Sequence, residues 1–350
     1  MRDLYDAHPD TIAFRTAWNA KQMLLRGFTT VRDTGGANAA LKDAIAEGLV
    51  PGPRLFISGK ALSQTGGHGD LRQPYQDESF KCCSGHPPGW ARICDGVPAC
   101  LEAARDELRR GADQIKIMVG GGVSSPVDPI EMVQFTAEEI KAITQSAKNL
   151  GTYVTAHAYT VASIRHAVDN GVICIEHANL IDRETAKYLA KHEVTVVPTL
   201  STYKALISEE YKAFLPESGR VKTQQIIDTG VEALKILHEE GVMMCYGSDL
   251  LAGMHVNQHD EWELRSPALS NADLLKAATT NAANLLRMGG KLGTLAEGAF
   301  ADFLVLKENP LGDLGVFKNL ELHLLAIGKD GRIAMSKLEA KGLVVDAMYR

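Results

Sequence analysis

The chain has 350 residues, which at roughly 150 per domain makes about two units, or one large barrel with an appendage, so it can bury a sizeable core. Its 45% hydrophobic and 23% charged residues sit at the globular average and exclude a disordered or collagen-like chain. A formal charge of −6, with no stripe of Lys or Arg, argues against a nucleic-acid partner, and no apolar run approaches the ~18 residues of a membrane span. Residues 1–10 carry no signal-peptide pattern, so the expectation is a soluble, cytoplasmic protein. The six cysteines match no zinc-ribbon or CxxC spacing and read as reduced, partly buried thiols; Cys82 and Cys83 are adjacent, which disfavours a bridge between them.

Residues 1–26 read as a loop and a helix. Short β-branched or apolar runs follow at 28–33, 54–59, 114–119, 152–157, 172–177, 194–199 and 242–249. Longer amphipathic stretches separate them, which is the alternation of βα units around a parallel sheet. The segment 60–98, with Gly66, Gly67, Pro74, Pro87 and Pro88, has little periodicity and reads as a lid or binding loop. The spacing predicts a helix over 136–149, opened by Thr136 and Glu139 as a capping box, and another over 182–192. A further helix is expected over 270–288, then short strands within 292–306 and 324–335, with turns at Gly298, Asn309, Pro310, Asp330 and Gly331. Residues 1–290 are thus expected to form the barrel and 291–350 part of a small β domain.

At or near the C-terminal ends of the seven runs stand Asp33, Gly59, Lys116, His157, His177, Thr199 and Asp249. In a (β/α)₈ barrel every strand points its carboxyl end at one mouth, where the active site forms. A doubly wound open sheet would carry a Gly-rich phosphate turn after its first strand, and Asp33-Thr34-Gly35-Gly36 does not fit GxGxxG. His157 and His177 close runs twenty residues apart, so neighbouring strands set two imidazoles side by side. Such a pair suits Zn²⁺ if an anionic ligand completes it, and Lys116 and Asp249 are the candidates. A bare ammonium would repel the ion, so Lys116 fits only if modified or displaced. One His at a strand end is more often a structural residue; four ligand-type groups on four ends favour a site. His255 and His259 have HxxxH spacing, but Val256 stands where a zinc protease has Glu, and they read as a solvated polar loop.

Several motifs carry a wider likeness: GFTTVRDTGG at 27–36, SQTGGHGD at 63–70, GADQIKIMVGGGVSS at 111–125, VTAH ending at His157, IEH at His177, VPT at Thr199 and GSD at Asp249. The tail, ATTNAANLL and LGTLAEGAFADFLVL, continues it. Their order resembles the amidohydrolase superfamily, in the peptidase-like branch of imidazolonepropionase-like proteins, Xaa-Arg and Xaa-Pro dipeptidases and ochratoxinase. The resemblance implies a two-zinc hydrolytic site in a complete member. Lys116 would be carboxylated by CO₂ and bridge the ions, His157 and His177 would bind one, and Asp249 would bind the other and shuttle a proton. His68 and Tyr203 match positions that contact the substrate's carbonyl or terminal carboxylate. The implied reaction is cleavage of an amide or peptide bond in a dipeptide or N-acyl amino acid, a small-molecule partner, by water that the metals acidify. The alternatives are a cyclic amidohydrolase of imidazolonepropionase type and a non-catalytic paralogue that binds a partner; a homo-oligomer is compatible with each.

One departure matters. The family's first strand ends in a His-x-His pair, and the chain contains none. The expectation is a TIM-type (β/α) barrel lacking its first strand, with two unpaired edges, a small C-terminal β appendage and one zinc or none. Little or no turnover is then expected from the chain as written, with activity restored by an upstream His-x-His segment; equal turnover by the 350-residue form counts against that expectation.

Overall fold

In the computed structural model, which describes residues 7–75, 89–215 and 217–349, helix α1 (Pro9–Leu25) leads into alternating strands and helices. Cys82, Cys83 and His86 lie outside the described residues; Cys94, Cys100, Cys174 and Cys245 are free and buried. Strand β1 (Thr30–Asp33) and β2 (Arg54–Ile57) pair in parallel, with α2 (Ala39–Ala46) between them in the chain. Next come β3 (Ala61–Ser63), β4 (Ala91–Ile93), α3 (Val97–Arg109), β5 (Ile115–Met118) and α4 (Ala137–Asn149). Then follow β6 (Val154–Thr160), α5 (Val161–Asp169), β7 (Cys174–Leu180), α6 (Arg183–Lys191), β8 (Thr195–Val197), α7 (Leu200–Ile207) and α8 (Glu217–Glu239). The larger parallel sheet has the order β4-β3-β5-β6-β7-β8. No helix among the described residues is long and apolar enough to cross a membrane.

Strand alternation sorts the side chains. Ile115 and Ile117 of β5, Val154 and Ala156 of β6 and Ile175 of β7 pack with the helices in one apolar cluster that includes Ile140, Ile143, Ile164, Leu189 and Leu234. The residues between them, Lys116, Thr155 and Cys174, lie in one register and share the other face, the barrel interior. Asp113 joins the two parallel sheets: its N–H donates to the Ile57 carbonyl at 2.7 Å, and its Oδ2 accepts from the Ile57 N–H at 2.8 Å. The wall therefore runs β1-β2-β5-β6-β7-β8. In a flat sheet β1 and β7 would stand roughly 19 Å apart at about 4.8 Å per strand. Arg32 of β1 nonetheless pairs with Glu176 of β7 at 2.7 Å, so the sheet curls into a TIM-like barrel.

The capping box of Thr136 and Glu139 forms as the sequence indicates, and the helix expected over 182–192 forms as α6, with Asp182 as its N-cap. Three expectations change. The segment 60–98 contains β3 and β4, extra parallel strands beside β5. The run 242–249 contributes a single bridge, Met244 to Val196, because its polar groups are claimed elsewhere: the Tyr246 N–H donates to Ala277, and Arg265 takes the carbonyls of Cys245 and Gly247. The helix over 270–288 is two, α10 (Asn271–Ala278) and α11 (Thr280–Leu285), after α9 (Asp260–Arg265). Thr279 breaks it at φ −126° and ψ −90°, where a Cβ on Gly293 would lie 2.5 Å from its carbonyl.

Among the described residues β1 has β2 as its strand partner on one side, and no strand lies on the other. That flank is covered by side chains: Phe28 packs against Tyr246 and stacks on His259 at 5.1 Å, and Arg26 donates to Gln258. At the C-terminus β9 (Phe303–Leu306), β10 (Leu324–Lys329) and β11 (Arg332–Ser336) form an antiparallel sheet, ordered β11-β10-β9, that packs Leu324, Ile327 and Ala334 on Leu24 of α1.

Arg265 is fully buried, with Nε 2.6 Å from the equally buried Glu261 and its other nitrogens on the carbonyls of Cys245, Gly247 and Pro198. Arg265→Leu leaves Glu261 unpaired and is expected to cost about 3–5 kcal/mol, whereas Thr136→Ala loses only a helix cap, about 1 kcal/mol. Urea unfolding that finds the two variants equally stable contradicts this ranking.

Candidate active site

Lys116, His157 and His177 belong to the consecutive strands β5, β6 and β7, and all three are buried. The His157 and His177 rings stand 4.6 Å apart between centroids. Strand alternation alone would send Glu176 and His177 to opposite faces. His177 and Ala178 take φ of 77° and 55°, conformations rare outside glycine, and the register shifts beside them, so both Glu176 and His177 reach interior groups.

Hydrogen bonds decide which ring nitrogens are free. A carbonyl only accepts, so His157 donates Nε2–H to the Gly121 oxygen at 3.1 Å and keeps a lone pair on Nδ1. His177 engages Nδ1, with Thr199 Oγ1 at 2.7 Å and the Tyr203 hydroxyl at 3.0 Å, which leaves Nε2. Burial pushes both imidazoles well below their ordinary pKa, with the neighbouring positive groups acting in the same direction, so each is a neutral donor. Burial also lowers Lys116, while Glu176 and Asp249 pull it back up. Glu176 does not neutralise it fully because its carboxylate is committed to Arg32 and to the Thr155 hydroxyl.

Asp249, at φ 48°, is fixed through the Gly247 carbonyl on Arg265. Its side chain opens to solvent, yet the surrounding wall pushes its carboxyl up to about 6, with Lys116 opposing and Glu176 adding to the rise. Among the described residues no three His, Cys, Asp or Glu side chains converge as an ion-holding group by themselves. Lys116, on the strand beside that of His157, acts electrostatically on both imidazoles.

His68 joins this cluster, its ring stacked on His157 at 4.3 Å. Tyr203 lies behind His177, buried, its hydroxyl also donating to Tyr159 at 3.0 Å. His255 and His259 stand apart and are not a solvated loop. His259 is sandwiched between Phe28 and Phe317, bonds the Arg26 carbonyl through Nε2 and accepts from Trp262 through Nδ1, so both its nitrogens are spent. Burial pushes it down to about 4. Arg32, Glu176, Ser125, Asp128 and Arg265 escaped the sequence reading. Glu176 carried a signal, a charged residue inside the apolar run that leads to His177; the others are placed by contacts from distant segments.

Residues 2–335 match the amidohydrolase family. The chain belongs to that family. It is 32% identical to the ochratoxinase of Aspergillus niger over 319 residues, 89% of this chain and 66% of that protein, so it spans just under two thirds of this relative's length. Among solved amidohydrolase structures, a prolidase in complex with N-methylphosphonate-L-proline superposes with a TM-score of 0.90 at 44% identity, covering 93% of this chain and 80% of that one. A Xaa-Pro dipeptidase with methionine bound in its active site gives 0.81 at 29%, covering 94% and 80%.

A carboxyl at about 6 when folded and about 3.9 when unfolded holds its proton more tightly in the folded amidohydrolase. It therefore adds stability below about pH 4 that is lost as the pH rises toward about 6. With divalent ions chelated, Asp249→Asn is expected to be more stable than the parent at about pH 7.5, by less than a fully buried carboxyl would give, and to converge with it below about pH 4. Parallel stability curves across that range would count against the raised carboxyl.

Proposed function

We propose that the whole protein is a metal-dependent hydrolase that cleaves the amide or peptide bond of a dipeptide or N-acyl amino acid. The observation that carries this reading is the pair of neutral imidazoles, His157 and His177, 4.6 Å apart beside the buried Lys116. The donor types suit divalent cations: Nδ1 of His157 and Nε2 of His177 would hold one, Lys116 would join them once its amine takes up CO₂ and becomes an anion, and the Asp249 carboxylate would serve the second ion of a complete site. Burial favours the free amine that this capture needs. Zinc suits such nitrogen and oxygen donors, and when bound it supplies Lewis acidity and lowers the pKa of water toward ~7.

The chain's own residues do the rest. Asp249, raised to about 6, takes a proton near neutral pH and returns it to the leaving nitrogen. His68 binds a polar group of the substrate beside His157. Tyr203 does the same only by giving up its bond to Tyr159 or His177, so its first role is to orient His177. The prolidase neighbour in complex with a proline-derived ligand supports a small-molecule substrate with a free carboxylate.

The test is metal content and turnover measured together on the whole protein supplied with zinc. Elemental analysis is expected to find bound zinc, and a panel of Xaa-Pro dipeptides and N-acyl amino acids to include a hydrolysed member. Lys116→Ala and His157→Ala are expected to lower both zinc content and kcat/KM, the latter by more than about 10²-fold. Undiminished turnover in both variants, or a protein that binds no metal and hydrolyses nothing in the panel, refutes the proposal.

A further inference from the structure

Cys94 and Cys100 stand on the two arms of one corner, away from the barrel mouth. Cys94 follows β4 and donates its N–H to the Ser63 carbonyl of β3 at 2.9 Å; Cys100 lies in the first turn of α3 and donates its N–H to the Gly96 carbonyl at 3.0 Å. Both side chains belong to the main apolar cluster. Their sulfurs are 3.7 Å apart, and Cys100 Sγ is 3.8 Å from the Cys94 carbonyl oxygen. A disulfide holds its sulfurs about 2.0 Å apart, so a bridge here asks for an approach of about 1.7 Å, the scale of a side-chain rotation.

The corner between the two thiols holds other segments. Asp95 accepts from the Thr65 N–H at 2.9 Å and from its hydroxyl at 2.6 Å, which ties the corner to the loop 63–70. The Gly96 N–H donates to Glu139 of α4 at 2.6 Å, and Arg92 of β4 pairs with Asp106 of α3 at 2.9 Å. The strand that leads into the corner is the weak part: β4 has three residues, stands at the end of its sheet and pairs only with β3. Short edge elements of this kind open at low free energy while the core stays folded. In the closed fold the adjacent Cys100 thiol, and then burial, push Cys94 well above the ordinary thiol range. The thiolate is the reactive form, so the closed pair is inert and its chemistry belongs to the state in which β4 has opened.

We infer that Cys94 and Cys100 are a reversible redox modification site, which a small disulfide oxidant of the glutathione class converts into an intrachain bridge. Cys94, 4% exposed against 0% for Cys100, is reached first. Its thiolate attacks one sulfur of oxidised glutathione, forms a mixed disulfide and expels one glutathione thiolate; the Cys100 thiolate then attacks the Cys94 sulfur and expels the second. Each expelled thiolate takes up the proton that a cysteine gave, so two protein thiols are oxidised and one glutathione disulfide is reduced to two thiols. The bridge fastens the end of β4 to α3, makes opening rarer and keeps Asp95 on Thr65. None of this depends on the hydrolase reading or on a bound metal.

Trypsin cuts after Arg92 and Arg105, so the fragment 93–105 carries Cys94 and Cys100 and no other cysteine. The whole protein is incubated with oxidised glutathione in native buffer, then denatured, alkylated with iodoacetamide, digested and weighed. Fragment 93–105 is expected to be about 2 Da lighter than its unalkylated reduced form, and to become fully alkylated if dithiothreitol is added first. Full alkylation without dithiothreitol, or a bridge that forms only when urea is present during oxidation, overturns the inference. Cys100→Ala removes the second thiol and is expected to stop at a glutathione adduct on Cys94, about 305 Da heavier; an unmodified Cys94 in that folded variant overturns the order of attack. Hydrogen exchange at the Thr65 amide is expected to slow by about 10-fold in the bridged protein, and equal exchange in the two forms overturns the link to the loop 63–70.

Discussion

The barrel depends on an ion pair that crosses it. Arg32, on the first described strand, reaches Glu176 on β7, and the two meet at 2.7 Å with little solvent on either. Two charges taken out of water lose much of their hydration, and their attraction offsets that loss only while both are present and hydrogen-bonded. Here Thr155 and Cys174 add contacts to the same pair. The consequence is geometric as well as energetic: strands four places apart are tied, so the sheet must curl. It is also electrostatic, because a Glu176 engaged by Arg32 leaves the buried Lys116 beside it short of a counter-charge. The ion pair that closes the wall thereby sets the condition of the lysine at the mouth.

Around that lysine the structure accepts local strain to aim side chains. His177 and Asp249 both sit at positive φ without being glycine. Each is supported from behind by buried groups. Thr199 and Tyr203 hold the Nδ1 of His177, and Arg265, fully buried with Glu261, takes the carbonyls of Pro198, next to Thr199, and of Gly247, two residues before Asp249. Strained conformations of this kind persist only where surrounding contacts over-determine them, and they gather at functional sites. The rigid frame lies beneath the reactive groups, while their free atoms, Nδ1 of His157, Nε2 of His177 and Nε2 of His68, are left without protein partners among the described residues.

Much of this was legible in the chain. Apolar runs of parallel-sheet type located β1, β2, β5, β6, β7 and β8, and charged or imidazole residues at their ends pointed to one mouth. The capping box of Thr136 and Glu139 located a helix start because a cap is a contact between residues three apart. Reading failed where the deciding contact was distant. The strands β3 and β4 are three residues each, too short for a period to show, and exist by pairing beside β5. The run 242–249 has strand composition but surrenders its carbonyls to Arg265. His255 and His259 look like loop residues, yet a stack of Phe28, His259 and Phe317 from three segments buries the second.

What the sequence by itself determined is the list of chemistries and their order: a lysine, then two imidazoles, on three successive strands, and an aspartate closing a later run, in a chain of the amidohydrolase family. These follow from residue type and from the two-residue period of a strand, both local properties. Only the tertiary structure decided which atoms of those residues are available. The Gly121 carbonyl takes one nitrogen of His157, Thr199 one of His177, and Ser125 with Asp128 one of His68; the loop after β5 supplies the first and third of these partners and the end of β8 the second. Tautomer, tilt and exposure are set by such non-local hydrogen bonds, which leave no periodic trace in the order of the amino acids.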